Sequence, residues 1–174
     1  GARADYDVVL RGGTLYDGEG GEPYVGDLAL RDERIVAVGT VSGRGALELD
    51  VQGLAVAPGF VNMLSWAVDS LLVEPHSPSD IRQGVTLEVF GEGESMGPLN
   101  ERMQRELVEH QGDLRYDVEW ATLGQYLEHL ERRGVACNVA SFVGATTVRV
   151  HELGYDDRAR TPVELERMCA LVRT

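Results

Sequence analysis

The stretch Ala55-Val-Ala-Pro-Gly-Phe-Val-Asn-Met-Leu-Ser-Trp66 constrains this chain more than any other. One apolar run stops at Pro58-Gly59, and a second begins at Phe60 with no polar linker between them. Proline lacks a backbone donor and glycine frees the dihedrals, so one pairing strand ends here and another starts. The junction divides the chain into residues 1–57 and 58–174, and the two parts have different rhythms.

Before the junction, short strands alternate with turns. Tyr6-Asp-Val-Val-Leu-Arg11 is a β run closed by Gly12-Gly13, and Thr14-Leu-Tyr16 leads into the turn cluster Asp17-Gly18-Glu-Gly-Gly21. Asp27-Leu-Ala-Leu-Arg31, Arg34-Ile-Val-Ala-Val38, Leu47-Glu-Leu-Asp-Val51 and Leu54-Ala-Val-Ala57 follow at similar spacing. That pattern predicts a small sheet or β-sandwich.

After the junction, strands alternate with helices. Phe60–Leu64 and Val85–Phe90 read as strands, separated by a proline-broken segment and a short helical piece, Ser79–Gln83, that stops at Gly84. Leu99, Met103 and Leu107 share a helical face. Thr122 caps a helix with Leu123, Leu127 and Leu130 on its apolar side, ended by Gly134. Val135–Val143 reads as a buried strand ending at Gly144, and the valine-rich stretch before His151 also has β character. Thr161-Pro-Val-Glu164 is a capping box that opens a last helix, with Leu165, Met168 and Leu171 as its stripe. Strand–helix alternation implies an α/β fold with parallel pairing. Three strands leave open edges that need covering.

Charge narrows the partners. The formal net charge of −13 disfavours nucleic acid and anionic membranes, which attract basic faces. No run of about 18 apolar residues suggests a membrane span. The start lacks an apolar signal region, so a cytoplasmic protein is expected, although a processed exported form would carry the same start. Cys137 and Cys169 have no metal-type spacing and read as free thiols.

The junction resembles the one in amidohydrolase-superfamily enzymes, where a small β domain hands over to the first strand of a TIM barrel. The usual pattern there is Pro-Gly-Phe-Ile-Asp-x-His-x-His, whose histidines bind a catalytic metal. Here Asn62, Leu64 and Trp66 stand at the Asp and the two His positions. Asp80-Ile-Arg-Gln-Gly-Val-Thr86, Val143-Gly-Ala-Thr-Thr-Val-Arg149 and Arg158–Met168 narrow the resemblance to the N-acyl-D-amino-acid deacylase (D-aminoacylase) branch. It covers nearly the whole chain, roughly the first third of such an enzyme.

The resemblance implies a β-sandwich-type domain over 1–57, part of a composite sandwich. It implies that 58–174 forms the first strands and helices of a (β/α)₈ barrel. A complete barrel takes roughly 250 residues, so this portion is expected to be incomplete, finished by the remainder of a parent chain or by a second polypeptide. In that branch the second strand ends Val-Val-x-Gly-Asn-Cys-Gly, with cysteine as a zinc ligand. The equivalent here is Val89-Phe-Gly-Glu-Gly-Glu-Ser95, without the cysteine. The branch's histidine in Val-Gly-His-x-Thr-Leu-Arg is Ala145, whereas Arg149 is retained. All 16 basic residues are arginine, so no carboxylated lysine is available to bridge two metals.

These replacements point to a rebuilt site with one divalent metal, zinc being the expected ion. Glu92 and Glu94 are the candidate oxygen ligands, Glu92 first because it follows the strand directly. Ser65, Trp66 and Arg149 are the candidate substrate contacts. The catalytic residues are expected outside this chain. Glu88, inside a strand, needs a buried partner and receives no chemical role.

The function implied is hydrolysis of a non-peptide C–N bond, an amide or cyclic amide, in a small acyl-amino-acid or related substrate. A scaffold that kept the fold and lost hydrolysis would also lose its histidines and cysteine. A metal-independent isomerase, lyase or acyl transferase is compatible with the same fold. Stoichiometric metal separates the first reading from the second, and activity that survives chelation identifies the third.

Overall fold

The structure, a computed structural model, describes residues 4–173. The fold is α/β, and it divides into two compact units between Pro58 and Gly59.

The first unit is one mixed five-stranded sheet: β1 (Tyr6–Leu15), β2 (Tyr24–Arg31), β3 (Arg34–Gly39), β4 (Gly45–Asp50) and β5 (Ala55–Val56). Its order is β3-β2-β1-β4, with β5 also on β1. β2 runs antiparallel to β1 and β3, while β4 and β5 run parallel to β1.

Gly12-Gly13 does not close the first strand as its sequence suggests. β1 passes through the pair by a register irregularity between Leu10 and Gly13. Gly12 takes φ +70° there, a conformation open to glycine. Its N–H donates to Asp27 Oδ1 at 2.9 Å. Arg11 holds the same Asp27 at 3.1 Å and Glu48 at 3.0 Å, so the irregularity is anchored by charge. Val9, Ala29 and Val41 form the small core of this unit.

The second unit contains a parallel sheet, β6-β7-β8. Its strands are β6 (Phe60–Asn62), β7 (Val85–Phe90) and β8 (Asn138–Ser141). Helical turns α1 (Ser70–Val73) and α2 (Pro78–Ile81) separate β6 from β7, and α3 (Glu101–Glu109) and α4 (Leu123–Arg133) separate β7 from β8. α5 (Ala145–Leu153) and α6 (Pro162–Arg173) follow β8. β6 and β8 are shorter than their apolar runs. Backbone bonds from Ser65 N–H to the Val89 carbonyl and from Phe142 N–H to the Phe90 carbonyl carry the ladder past both strand ends.

The largest departure from the sequence reading is α5. The β-branched run Thr146-Thr-Val-Arg-Val150 suggests a strand, yet it is helical. The reason lies in tertiary contacts that satisfy the free N–H groups of a helix start. Gly144 N–H donates to Ser95 Oγ at 2.9 Å, and Thr146 N–H donates to the Gly93 carbonyl at 2.8 Å.

The caps of α4 are the expected ones. Thr122 and Gln125 form a reciprocal capping box, and Gly134 ends the helix in the left-handed region. Thr122→Ala should therefore lower stability by about 1 kcal/mol, read from the midpoint of urea denaturation. A second capping box opens α6: Thr161 N–H donates to Glu164 Oε2 at 2.7 Å, and Glu164 N–H donates to Thr161 Oγ1 at 3.3 Å. No residue of α6 is fully buried, and Met168 and Leu171 of its apolar stripe are half-buried.

The core of the second unit surrounds Trp120, which is 1% exposed. Tyr126, Phe90, Leu71, Leu130 and Met96 pack around it, and Trp120 Nε1–H donates to the Met96 carbonyl at 2.8 Å. Among the described residues, no helix is long and apolar enough to cross a membrane.

Candidate active site at the strand ends

Parallel α/β units place ligands beyond the C-terminal ends of their strands. Here the chain leaves β7 through Gly91, at φ +89°. An added Cβ at Gly91 would lie 2.1 Å from the Phe142 carbonyl oxygen. Only glycine allows the loop after β7 to lie this close to the end of β8. The loop is then tied to α5: Ser95 N–H donates to Thr147 Oγ1 at 2.8 Å, and Thr147 Oγ1 donates to the Ser95 carbonyl at 3.2 Å.

A cavity of about 240 Å³ opens beside this loop, and Ser65, Trp66, Glu92 and Glu94 all line it. Four of the five candidate residues are thus brought together. Trp66 is 70% exposed, and Glu92 and Glu94 are exposed as well. The fifth candidate, Arg149, lies on α5 outside this lining. Its guanidinium donates to the carbonyls of Asp156 and Arg158, both at 2.9 Å, and so holds the loop after α5.

Ser65 is held from behind. It is buried, and its Oγ donates to Glu88 Oε2 at 2.7 Å while accepting from Ala67 N–H at 3.2 Å. Glu88 is fully buried. Its other oxygen accepts from Ser77 Oγ at 3.2 Å and from Cys137 Sγ at 3.0 Å. Glu88 and Phe90 are two residues apart and so share a face of β7. Phe90 and Cys137 belong to the apolar core, which puts the Glu88 carboxyl on the core side rather than in the cavity. Burial, and secondarily the bond to Glu88, pushes the Cys137 thiol up to about 12. It is a protonated donor, not a nucleophile.

A second cavity, of about 270 Å³, adjoins the first, and the two share Asp69, Glu94, Ser95 and Leu107. Asp69, Glu106, Tyr116 and Tyr155 in this second lining carry no local sequence signal. They come from a loop after β6, from α3 and from loops before α4 and after α5, and only the fold joins them. His76 lies outside both cavities, exposed and 2.8 Å from Glu74. His151 lies in α5, not after a strand, and its buried Nδ1 has no hydrogen-bond partner among the described residues.

The residues of this chain do not fit a metal by themselves. Among the described residues, no group of three or more His, Cys, Asp and Glu is placed to hold an ion. Two exposed carboxylates do not make a coordination sphere for zinc.

The fold is a β unit followed by parallel β/α units, with cavities at the C-terminal ends of the parallel strands. No protein-family model matches the chain. The N-acyl-D-aspartate deacylase of Alcaligenes xylosoxydans xylosoxydans is 36% identical over 173 residues, covering 98% of this chain and 34% of that protein. A crystal structure of D-aminoacylase, described as defining a novel subset of amidohydrolases, aligns with a TM-score of 0.81 at 33% identity. It covers 96% of this chain and 35% of its own. The N-acyl-D-glutamate deacylase of Bordetella bronchiseptica, complexed with zinc and a phosphonate inhibitor, aligns at 0.78 with 28% identity, covering 95% and 35%. The chain is homologous to the N-terminal portion of the D-aminoacylase-type amidohydrolases, and it spans about a third of the length of these relatives.

Proposed function

We propose that this chain is the N-terminal portion of a metal-dependent amidohydrolase that hydrolyses a non-peptide C–N bond, in an N-acyl-D-amino acid or a related amide. On this reading the first unit is part of a composite β-sandwich. The second supplies the opening strands and helices of a (β/α)₈ barrel. The remainder of the parent chain, or a second polypeptide, completes the barrel and brings the catalytic residues. The observation that carries the reading is the cavity at the ends of β6 and β7, lined by Ser65, Trp66, Glu92 and Glu94. It lies where this class of fold keeps its chemistry.

Within this proposal, one divalent metal, zinc first, is held mainly by groups outside this chain, and Glu92 supplies an oxygen ligand. Glu94 is the second candidate. Trp66 presents an exposed indole to an acyl chain, and Ser65 is a fixed polar contact. Arg149 acts on the wall of the site through the loop it holds.

The test is elemental analysis and an N-acyl-D-amino-acid hydrolysis assay on the complete, natively purified protein. About one zinc per molecule is expected, with metal and activity both reduced in Glu92→Ala. Full hydrolysis after exhaustive chelation would overturn the metal dependence and leave a metal-independent hydrolase. A folded, complete protein with neither metal nor hydrolysis would leave a scaffold.

A further inference from the structure

The second cavity has its own chemistry. Its floor is apolar and buried: Leu99 is 6% exposed, Met103 8% and Val150 9%. Its walls carry three carboxylates, Asp69, Glu94 and Glu106, one imidazole, His110, whose Nδ1 lies 2.8 Å from the Glu106 carbonyl oxygen, and no lysine or arginine. Two tyrosines stand among them. Tyr116 donates to Asp69 Oδ1 at 2.5 Å, and Tyr155 donates to Glu106 Oε2 at 2.9 Å. Each of these carboxylates keeps further acceptor capacity. Glu94 makes no side-chain hydrogen bond or ion pair among the described residues, and its charge reaches Tyr155, whose phenol is held above its ordinary value first by the Glu106 bond. Arg102 offsets part of the charge from outside the lining, 3.5 Å from Glu106 Oε1 and 5.4 Å from the Tyr155 ring centre.

Three ligand classes can be weighed against this lining. An anion meets like charge on three sides, which is unfavourable at close range. A metal ion lacks a group of three suitably placed donors and gains nothing from an apolar floor. An organic cation satisfies both features. Its charged head meets carboxylates and tyrosine faces, and its stem covers Leu99, Met103 and Val150.

We infer that this cavity binds an alkylammonium or guanidinium group carried on an apolar stem. On the deacylase reading above, on which this step rests, the walls shared with the first cavity make the substrate an N-acyl amino acid with a basic side chain.

Two experiments test this separately. In amide NMR spectra of the complete protein, n-butylammonium should move the signals of Ser95, Leu107 and Thr147 saturably, while butyrate and n-butanol should not. Glu94→Gln removes an unpaired, exposed charge without disturbing the core, and should weaken the amine by about two- to fivefold. Glu128→Gln, the same charge change away from both cavities, should leave it unchanged. Equal responses to butyrate, or equal weakening by both substitutions, would show attraction by net charge alone and overturn the inference. In the complete protein, N-acetyl-D-arginine should be hydrolysed in preference to N-acetyl-D-aspartate. Preference for the aspartate compound overturns the cation site and leaves the deacylase reading standing. Hydrolysis of neither overturns the deacylase reading, while the NMR result decides the cation site.

Discussion

Glu88→Ala should lower the unfolding free energy by about 2–4 kcal/mol, because it leaves buried donors without an acceptor. The carboxyl is 0% exposed and takes hydrogen bonds from Ser65, Ser77 and Cys137. These donors lie on three separate segments, so one acceptor ties the end of β6, the start of α2 and the approach to β8 to β7. Ser77 keeps an alternative acceptor in Asp80 Oδ2 at 3.0 Å, which holds the loss toward the lower end of the range. Urea denaturation measures it, and Glu88→Gln, which keeps the shape and one acceptor, should lose less. A change below about 0.5 kcal/mol, the level of an ordinary surface substitution, would mean that the cluster does not hold the strands together.

The same cluster has a pH consequence. Folding raises the Cys137 thiol from 9.0 to about 12, so the stabilisation from its protonated form is fully present below pH 9 and is lost as pH rises toward 12. Cys137→Ser, which has no thiol to ionise, should therefore lose less stability between pH 9 and pH 12 than the unsubstituted protein, read from urea midpoints across that range.

Trp120→Ala should cost about 3–5 kcal/mol, the range for removing a buried aromatic. The indole is 1% exposed. It lies 5.2 Å from Tyr126 and 5.3 Å from His129 between ring centres, and is stacked on Tyr116 at 6.4 Å. Its removal also strips the Met96 carbonyl of its donor. Met96 and Tyr116 line the two cavities, so the effect should extend to ligand binding. Thermal unfolding reads the loss directly, and Trp120→Phe, which keeps most of the contact area, should recover more than half of it.

Much of the fold was legible because its signals are local. Val85–Phe90 is the second strand of the parallel sheet at the expected residues, since an apolar β-branched run between Gly84 and Gly91 leaves little choice. Thr122 and Gly134 bound α4 because a cap needs only its own neighbouring backbone. Gly12-Gly13 misled because glycine permits either a turn or an irregular strand. Which one forms depends on whether Asp27 and Glu48 arrive from elsewhere to meet Gly12 and Arg11.

The candidate site divides in the same way. Ser65, Trp66, Glu92 and Glu94 could be picked out because strand ends are visible in the sequence, and all four line one cavity. The acidic second cavity was not visible, because its residues are distant in the chain and none has a motif around it. The same holds for the partners of Glu88.

By itself, then, the sequence determined the change of rhythm at Pro58-Gly59, the parallel β/α order after it and the caps of α4 and α6. These depend on periodicity, on backbone freedom and on residue identity at one place. Only the tertiary structure decided that Thr146–Val150 is a helix, that Glu88 faces three donors and that Asp69, Glu94 and Glu106 share a cavity. Each of those depends on groups that meet only after loop closure, when a carbonyl or hydroxyl from a distant segment satisfies a donor that the local chain leaves free.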